Sequence, residues 1–109
     1  MAQLNVFKTV TAVLTTTPES LYTAPLGYAS IILMAQISNI TSSTQTVTFS
    51  HFSGSTTTEL LSGFSIPPND AVSATTGKLV LETGQSVTAS ASANSSVKAV
   101  LSILETSNG

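Results

Sequence analysis

Apolar and polar residues alternate with a period of two along most of the chain, the signature of strands with one face on a core. "TQTVTFSHF", residues 44 to 52, is the cleanest case, with Val47, Phe49 and His51 opposite Thr46, Thr48 and Ser50. Thr, Val, Ile and Ser dominate these stretches, and branched side chains pack well on a pleated surface. The pattern predicts strands over residues 5–15, 20–24, 29–39, 44–52, 57–66, 71–75, 78–82, 86–92 and 97–105. Turn chemistry separates them. "PLGY" is a Pro-Gly turn, "SGSTT" a loop, and "TGK" and "TGQ" are tight turns. "PPND" stops a strand, because two prolines remove two ladder donors. Helix signals are nearly absent, and "TPESLY" reads as a bend between strands. Short strands at regular spacing predict an all-β fold: an antiparallel β-sandwich, jelly-roll-like, with eight to ten strands.

The expected core stripe is Ile31, Leu33, Ile37, Val47, Phe49, Leu79, Leu81, Val87, Ala89, Leu101 and Ile103. Residues 1–17 form an N-terminal arm or first strand, 18–106 the sandwich, and 107–109 a tail. Three long strands break the rule that one face is apolar and the other polar. In "ASIILMAQISNI", Ile31, Leu33, Ala35 and Ile37 take the core side, which leaves Ile32 and Met34 on the opposite one. In "VKAVLSILE", Val100 and Leu104 lie opposite Val97, Ala99, Leu101 and Ile103. In the first strand, Phe7 and Val13 lie opposite Val6, Val10, Ala12 and Leu14. Either these are central strands covered within the chain, or the second faces form a subunit interface. The interface reading selects Phe7, Val13, Ile32, Met34, Val100 and Leu104.

Composition favours the interface. The chain of 109 residues is 41% hydrophobic but only 7% charged, with a net charge of -2. An ordinary soluble domain is about 25% charged. Ser and Thr make up about a third of the residues, so hydroxyls rather than ions carry the solubility. Copies of such a chain repel one another little. A Ser/Thr-rich secreted domain has the same composition and stands beside that reading as an equal alternative; the N-terminus does not read as a signal peptide, lacking a basic region followed by an apolar run. The core is small in bulk, without Trp and 6% aromatic, so burial between subunits would add what one sandwich lacks.

Candidate chemistry is sparse. There is no cysteine, hence no disulfide or thiolate chemistry. His51 has no second His or Cys with which to bind metal, and reads as the polar end of a core stripe. The acids Glu19, Glu59, Asp70, Glu82 and Glu105 are scattered and sit near strand ends, where solvated charges belong. No "GxSxG" elbow accompanies the many hydroxyls. The sequons at Asn39 and Asn94 read as chance matches. No enzymatic activity and no cofactor are expected. Three scattered lysines without arginine leave no footprint for nucleic acid, and "IILMA" is far too short to cross a membrane. Tyr22, Tyr28 and Phe52 could stack on a sugar, so a carbohydrate-binding module is the alternative from another class, with a hydrolase accessory domain behind it.

One resemblance covers roughly residues 20 to 105. "LYTAPLGYASIILMAQISNITSSTQTVTF", "LLSGFSIPPNDAV" and "GKLVLETGQSVTASASANSSVKAVLSILE" resemble a group of small bacteriophage virion proteins. The shared pattern is "YTAP-x-G" at Tyr22 to Gly27, "N-x-T" at Asn39 and Thr41, "hxIPxxD" ending at Asp70, and "LxxGQSVxAxAS" at Leu81 to Ser92. These are turn and strand signatures. The resemblance implies a virion location and a structural role, as a capsid decoration (cement) protein or a tail, neck or fibre-associated module. It implies a homo-oligomer, trimer favoured, held against the major capsid protein or other virion proteins.

Overall fold

The structure, a computed structural model, describes residues 5–75 and 77–107. The first four residues of the expected arm, Thr76 of the "TGK" turn and the last two tail residues lie outside them. Nine strands and no helix are found among the described residues: β1 (Asn5–Val13), β2 (Glu19–Thr23), β3 (Tyr28–Asn39), β4 (Gln45–Ser53), β5 (Thr56–Ile66), β6 (Ala71–Ser73), β7 (Leu79–Leu81), β8 (Ser86–Ala91) and β9 (Val97–Ser107). Every pairing is antiparallel. One sheet, here sheet A, has the order β1-β9-β3-β6, with β7 also paired to β3; sheet B has the order β2-β8-β4-β5. The fold is an antiparallel β-sandwich, and the chain winds between its layers, so neighbours in a sheet are mostly distant in sequence.

The turns hold where their residues demand. Tyr28 N donates to Pro25 O at 3.1 Å around Gly27, whose φ of 86° a residue with a side chain rarely adopts. Past the two prolines, Asn69 takes a φ of 55° and Asp70 N returns to Pro67 O at 3.3 Å. Asparagine tolerates that left-handed region better than most residues.

The core lies between the layers. Ile32, Ala35, Ile37, Leu101 and Ile103 of sheet A meet Val47, Phe49, Val87 and Ala89 of sheet B, with Leu14, Leu81 and Ile66 closing the ends. Of the two readings of the N-terminal stretch, arm or first strand, residues 5–13 take the second: β1 pairs with β9 along its whole length, from Asn5 opposite Thr106 to Val13 opposite Lys98, and Leu14 follows into the core. In β3 the expected phase holds only from Ala35 onward. Ile32 lies opposite Ile103 but Met34 lies opposite Ser102, so Leu33 is an extra residue, a β-bulge. Upstream of it the faces exchange. Ile32 is fully buried in the core, whereas Ile31 turns outward beside Leu104. Ile32 is therefore a core residue and cannot form a subunit interface.

Candidate assembly surface

Directly opposed residues share a face, so the registers define what each layer shows to solvent. On the outside of sheet A, Phe7 of β1 lies opposite Leu104 of β9, Leu104 opposite Ile31 of β3, and Ile31 opposite Val80 of β7. This apolar row crosses four strands. Its two ends are the most open, Phe7 at 75% exposed and Val80 at 55%. Met34, also exposed, stands beside it across from Ser102; Val100 is exposed further on, between Thr11 and Gln36. Val13 is exposed at the far end, next to Lys98. Five of the six residues selected from the sequence thus share one outer face, and Ile32 is the exception. Ile31 and Val80 were missed. For Val80 the signal was there, since "KLVLE" is apolar at three successive positions; for Ile31 the bulge hid it.

The outside of sheet B is different in kind. Its rows pair hydroxyl with hydroxyl, Thr48 with Ser90 and Ser50 with Thr88. Phe52 lies there in a shallow groove with Thr57, Glu59 and Pro18. The two layers of this sandwich therefore turn an apolar and a hydroxyl-rich surface to opposite sides, although the edge strand β5 of sheet B also exposes Leu60 and Phe64.

Two buried polar clusters lock the layers together. Glu105, expected as a solvated strand end, is only 4% exposed. It lies opposite Ser30, accepts a short hydrogen bond from the Tyr22 hydroxyl, and pairs with Lys8 Nζ at 3.4 Å. With the Tyr22 proton turned to Glu105, the Ser30 hydroxyl donates to Tyr22 Oη at 2.7 Å. Tyr22 belongs to sheet B and the other three to sheet A, so the phenol bridges the sandwich. Burial first, and then the Glu105 carboxylate, push the Tyr22 phenol up to about 12.

Asn39 makes the second cluster. Its amide nitrogen donates to Ser43 O (2.8 Å), Ile66 O (3.0 Å) and Pro67 O (3.2 Å), while Oδ1 accepts from Thr41 N at 2.9 Å and Thr41 Oγ1 at 2.7 Å. This explains the "N-x-T" spacing: the side chain staples the loop after β3 to the turn after β5. The amide is buried, so in the folded chain this sequon is closed to glycosylation. His51 donates from Nε2 to Gln85 Oε1 at 3.2 Å, and Gln85 also donates to Ser53 Oγ at 3.1 Å. Among the described residues no group of three or more His, Asp or Glu could hold a metal ion, and no helix is long and apolar enough to cross a membrane.

No family model matches the sequence, and no curated protein matches it. Solved structures do share its architecture. A chain of the acid-stable capsid of Helicobacter pylori bacteriophage KHP30 is similar at a TM-score of 0.59 and 12% identity, covering 100% of this chain and 92% of that one. A chain from Bacillus endospore appendages, described as a family of disulfide-linked pili, is similar at a TM-score of 0.58 and 11% identity, covering 97% of this chain and 88% of that one. At such identities the likeness is one of fold. Chains of this architecture thus occur in a capsid structure and in a pilus structure.

Proposed function

We propose that the protein is a non-catalytic structural subunit of a bacteriophage virion, a capsid decoration protein that works as a small homo-oligomer, trimer favoured. The observation that carries this reading is the apolar row Phe7–Leu104–Ile31–Val80, which among the described residues is half-buried at its middle and open at both ends. A contiguous apolar patch on a soluble protein usually marks a partner site. Low charge supports it, since 7% charged residues keep copies apart poorly. The strand order supports a jelly roll: with β6 and β7 counted as one interrupted strand, the first, eighth, third and sixth strands form one layer and the second, seventh, fourth and fifth the other. That winding is common in viral capsid domains. The capsid and pilus neighbours are equally similar in fold, and the absence of cysteine, which removes the disulfide linkage named for the pili, favours the virion.

In this reading the sandwich is a rigid block. Its hydroxyl-rich layer stays in water, and its apolar layer is covered by sister subunits and by the capsid. The test is Met34→Lys. Its side chain lies on the outer face, so the variant folds with an unchanged circular dichroism spectrum, and light scattering shows a smaller assembly than the unaltered protein. A variant that folds and keeps the oligomer contradicts the surface assignment. Purified particles should carry the protein on heads; finding it on tails would move it to a neck or fibre role.

A further inference from the structure

Four strand edges bound the two sheets, and three are blunted. β2 carries a register shift between Ser20 and Tyr22, β5 carries two register shifts against β4, and the edge beyond β3 is split into β6 and β7 of three residues each. Short edges, bulges and charges are the usual defences against unwanted pairing. β1 has none of them. It is nine residues long, pairs with β9 without a register shift, and contains no proline. Its one charge, Lys8, is turned to Glu105 of its own chain.

The open donors of this edge can be assigned. Leu14 N donates to Val97 O at 2.9 Å, directly beyond the pair Val13–Lys98. In an antiparallel ladder bonded and non-bonded pairs alternate. The even residues of β1 therefore bond to β9, and the amides and carbonyls of Phe7, Thr9, Thr11 and Val13 face the open edge.

We propose that β1 pairs antiparallel with β1 of a second copy about a two-fold axis at Val10, merging two A sheets into one. This rests on the structural-subunit reading and names how two of its subunits meet. The occupant is a second copy because "FKTVTAV" is self-complementary about Val10. Thr9 falls opposite Thr11 of the other copy, and Phe7 opposite its Val13. Thr–Thr and aromatic–β-branched pairs are favourable cross-strand neighbours, and no like charges meet. The pairing covers Phe7 and Val13, two of the most exposed apolar side chains in the chain. It also uses the one long regular edge among the described residues, and its two-fold symmetry closes this contact at two copies, so it joins two of the small oligomers rather than building a trimer itself.

The sequence has no cysteine, so single cysteines give a clean test. Val10 would meet its own symmetry mate in a non-bonded pair, where Cα atoms lie about 4.5 Å apart, within disulfide range. Under mild oxidation Val10→Cys gives a covalent dimer, while Thr9→Cys, opposite Thr11 rather than itself, gives none. On the unaltered protein, amide hydrogen exchange at Thr9 and Thr11 is slow in the assembled state and fast after dilution to monomer. An assembled protein with rapidly exchanging Thr9 and Thr11 amides overturns the β1 pairing and leaves the structural-subunit reading standing. A protein that stays monomeric at every concentration overturns both.

Discussion

Tyr22 has one hydroxyl and two duties, to accept from Ser30 and to donate to Glu105 across the sandwich. The fold holds the phenol neutral, with its value raised from 10.0 to about 12. A group raised on folding contributes stability below its unfolded value and loses it as pH climbs through the folded one. The native state should therefore weaken between about pH 10 and 12, and chemical denaturation across that range measures it. Tyr22→Phe should remove that part of the slope and, at neutral pH, cost about 1–3 kcal/mol through the hydrogen bonds it leaves unmade. At Ile32 and Met34, two apolar residues of one strand, opposite outcomes are expected. Ile32→Ala opens a cavity against Ile103 and should cost about 2–5 kcal/mol. Met34→Ala, on the outer face, should change the thermal midpoint of the monomer little. A large loss at Met34, or none at Ile32, would refute the bulge-shifted faces.

At the scale of elements, the nine strands and most of their turns were legible, because period-two patterning and Pro, Gly and Asn-Asp punctuation act locally. The core of β4, β8 and β9 followed, since Val47, Phe49, Val87, Leu101 and Ile103 all alternate in phase and are all buried. β3 defeated the same reasoning. Its run Ile31, Ile32, Leu33, Met34, Ala35 is apolar on both phases, so the sequence holds no marker for the position of the extra residue. The pairing to β9 decides it, and pairing is a long-range property. Glu105 was misplaced for a related reason. Its partners Tyr22 and Lys8 lie 83 and 97 positions away, and only the fold brings them to one carboxylate. The outer-face residues were found because three strands showed the same anomaly. What covers them lies beyond any single strand. Asn39 shows the opposite case, where a loop motif acts locally. Asn39→Ala should strip the buried amide donor from the carbonyls of Ser43, Ile66 and Pro67, leaving Ser43 O only the Thr41 hydroxyl, and cost about 1–3 kcal/mol, measured by denaturant unfolding.

At the scale of the whole molecule, the sandwich is two-faced. Hydroxyl ladders on sheet B keep it in water with few ions. Sheet A shows an apolar row with open ends at Phe7 and Val80 and one undefended edge at β1. A lone domain with that face in water would be prone to associate, and association is the role proposed for it. Hydroxyl-radical footprinting of the assembled and the dispersed protein compares the two faces in one experiment. Assembly should protect Phe7, Met34 and Val80 strongly and leave Phe52 on the outside of sheet B labelled as before. Equal labelling of Phe7, Met34 and Val80 in both states, or protection of Phe52 in their place, would contradict the account.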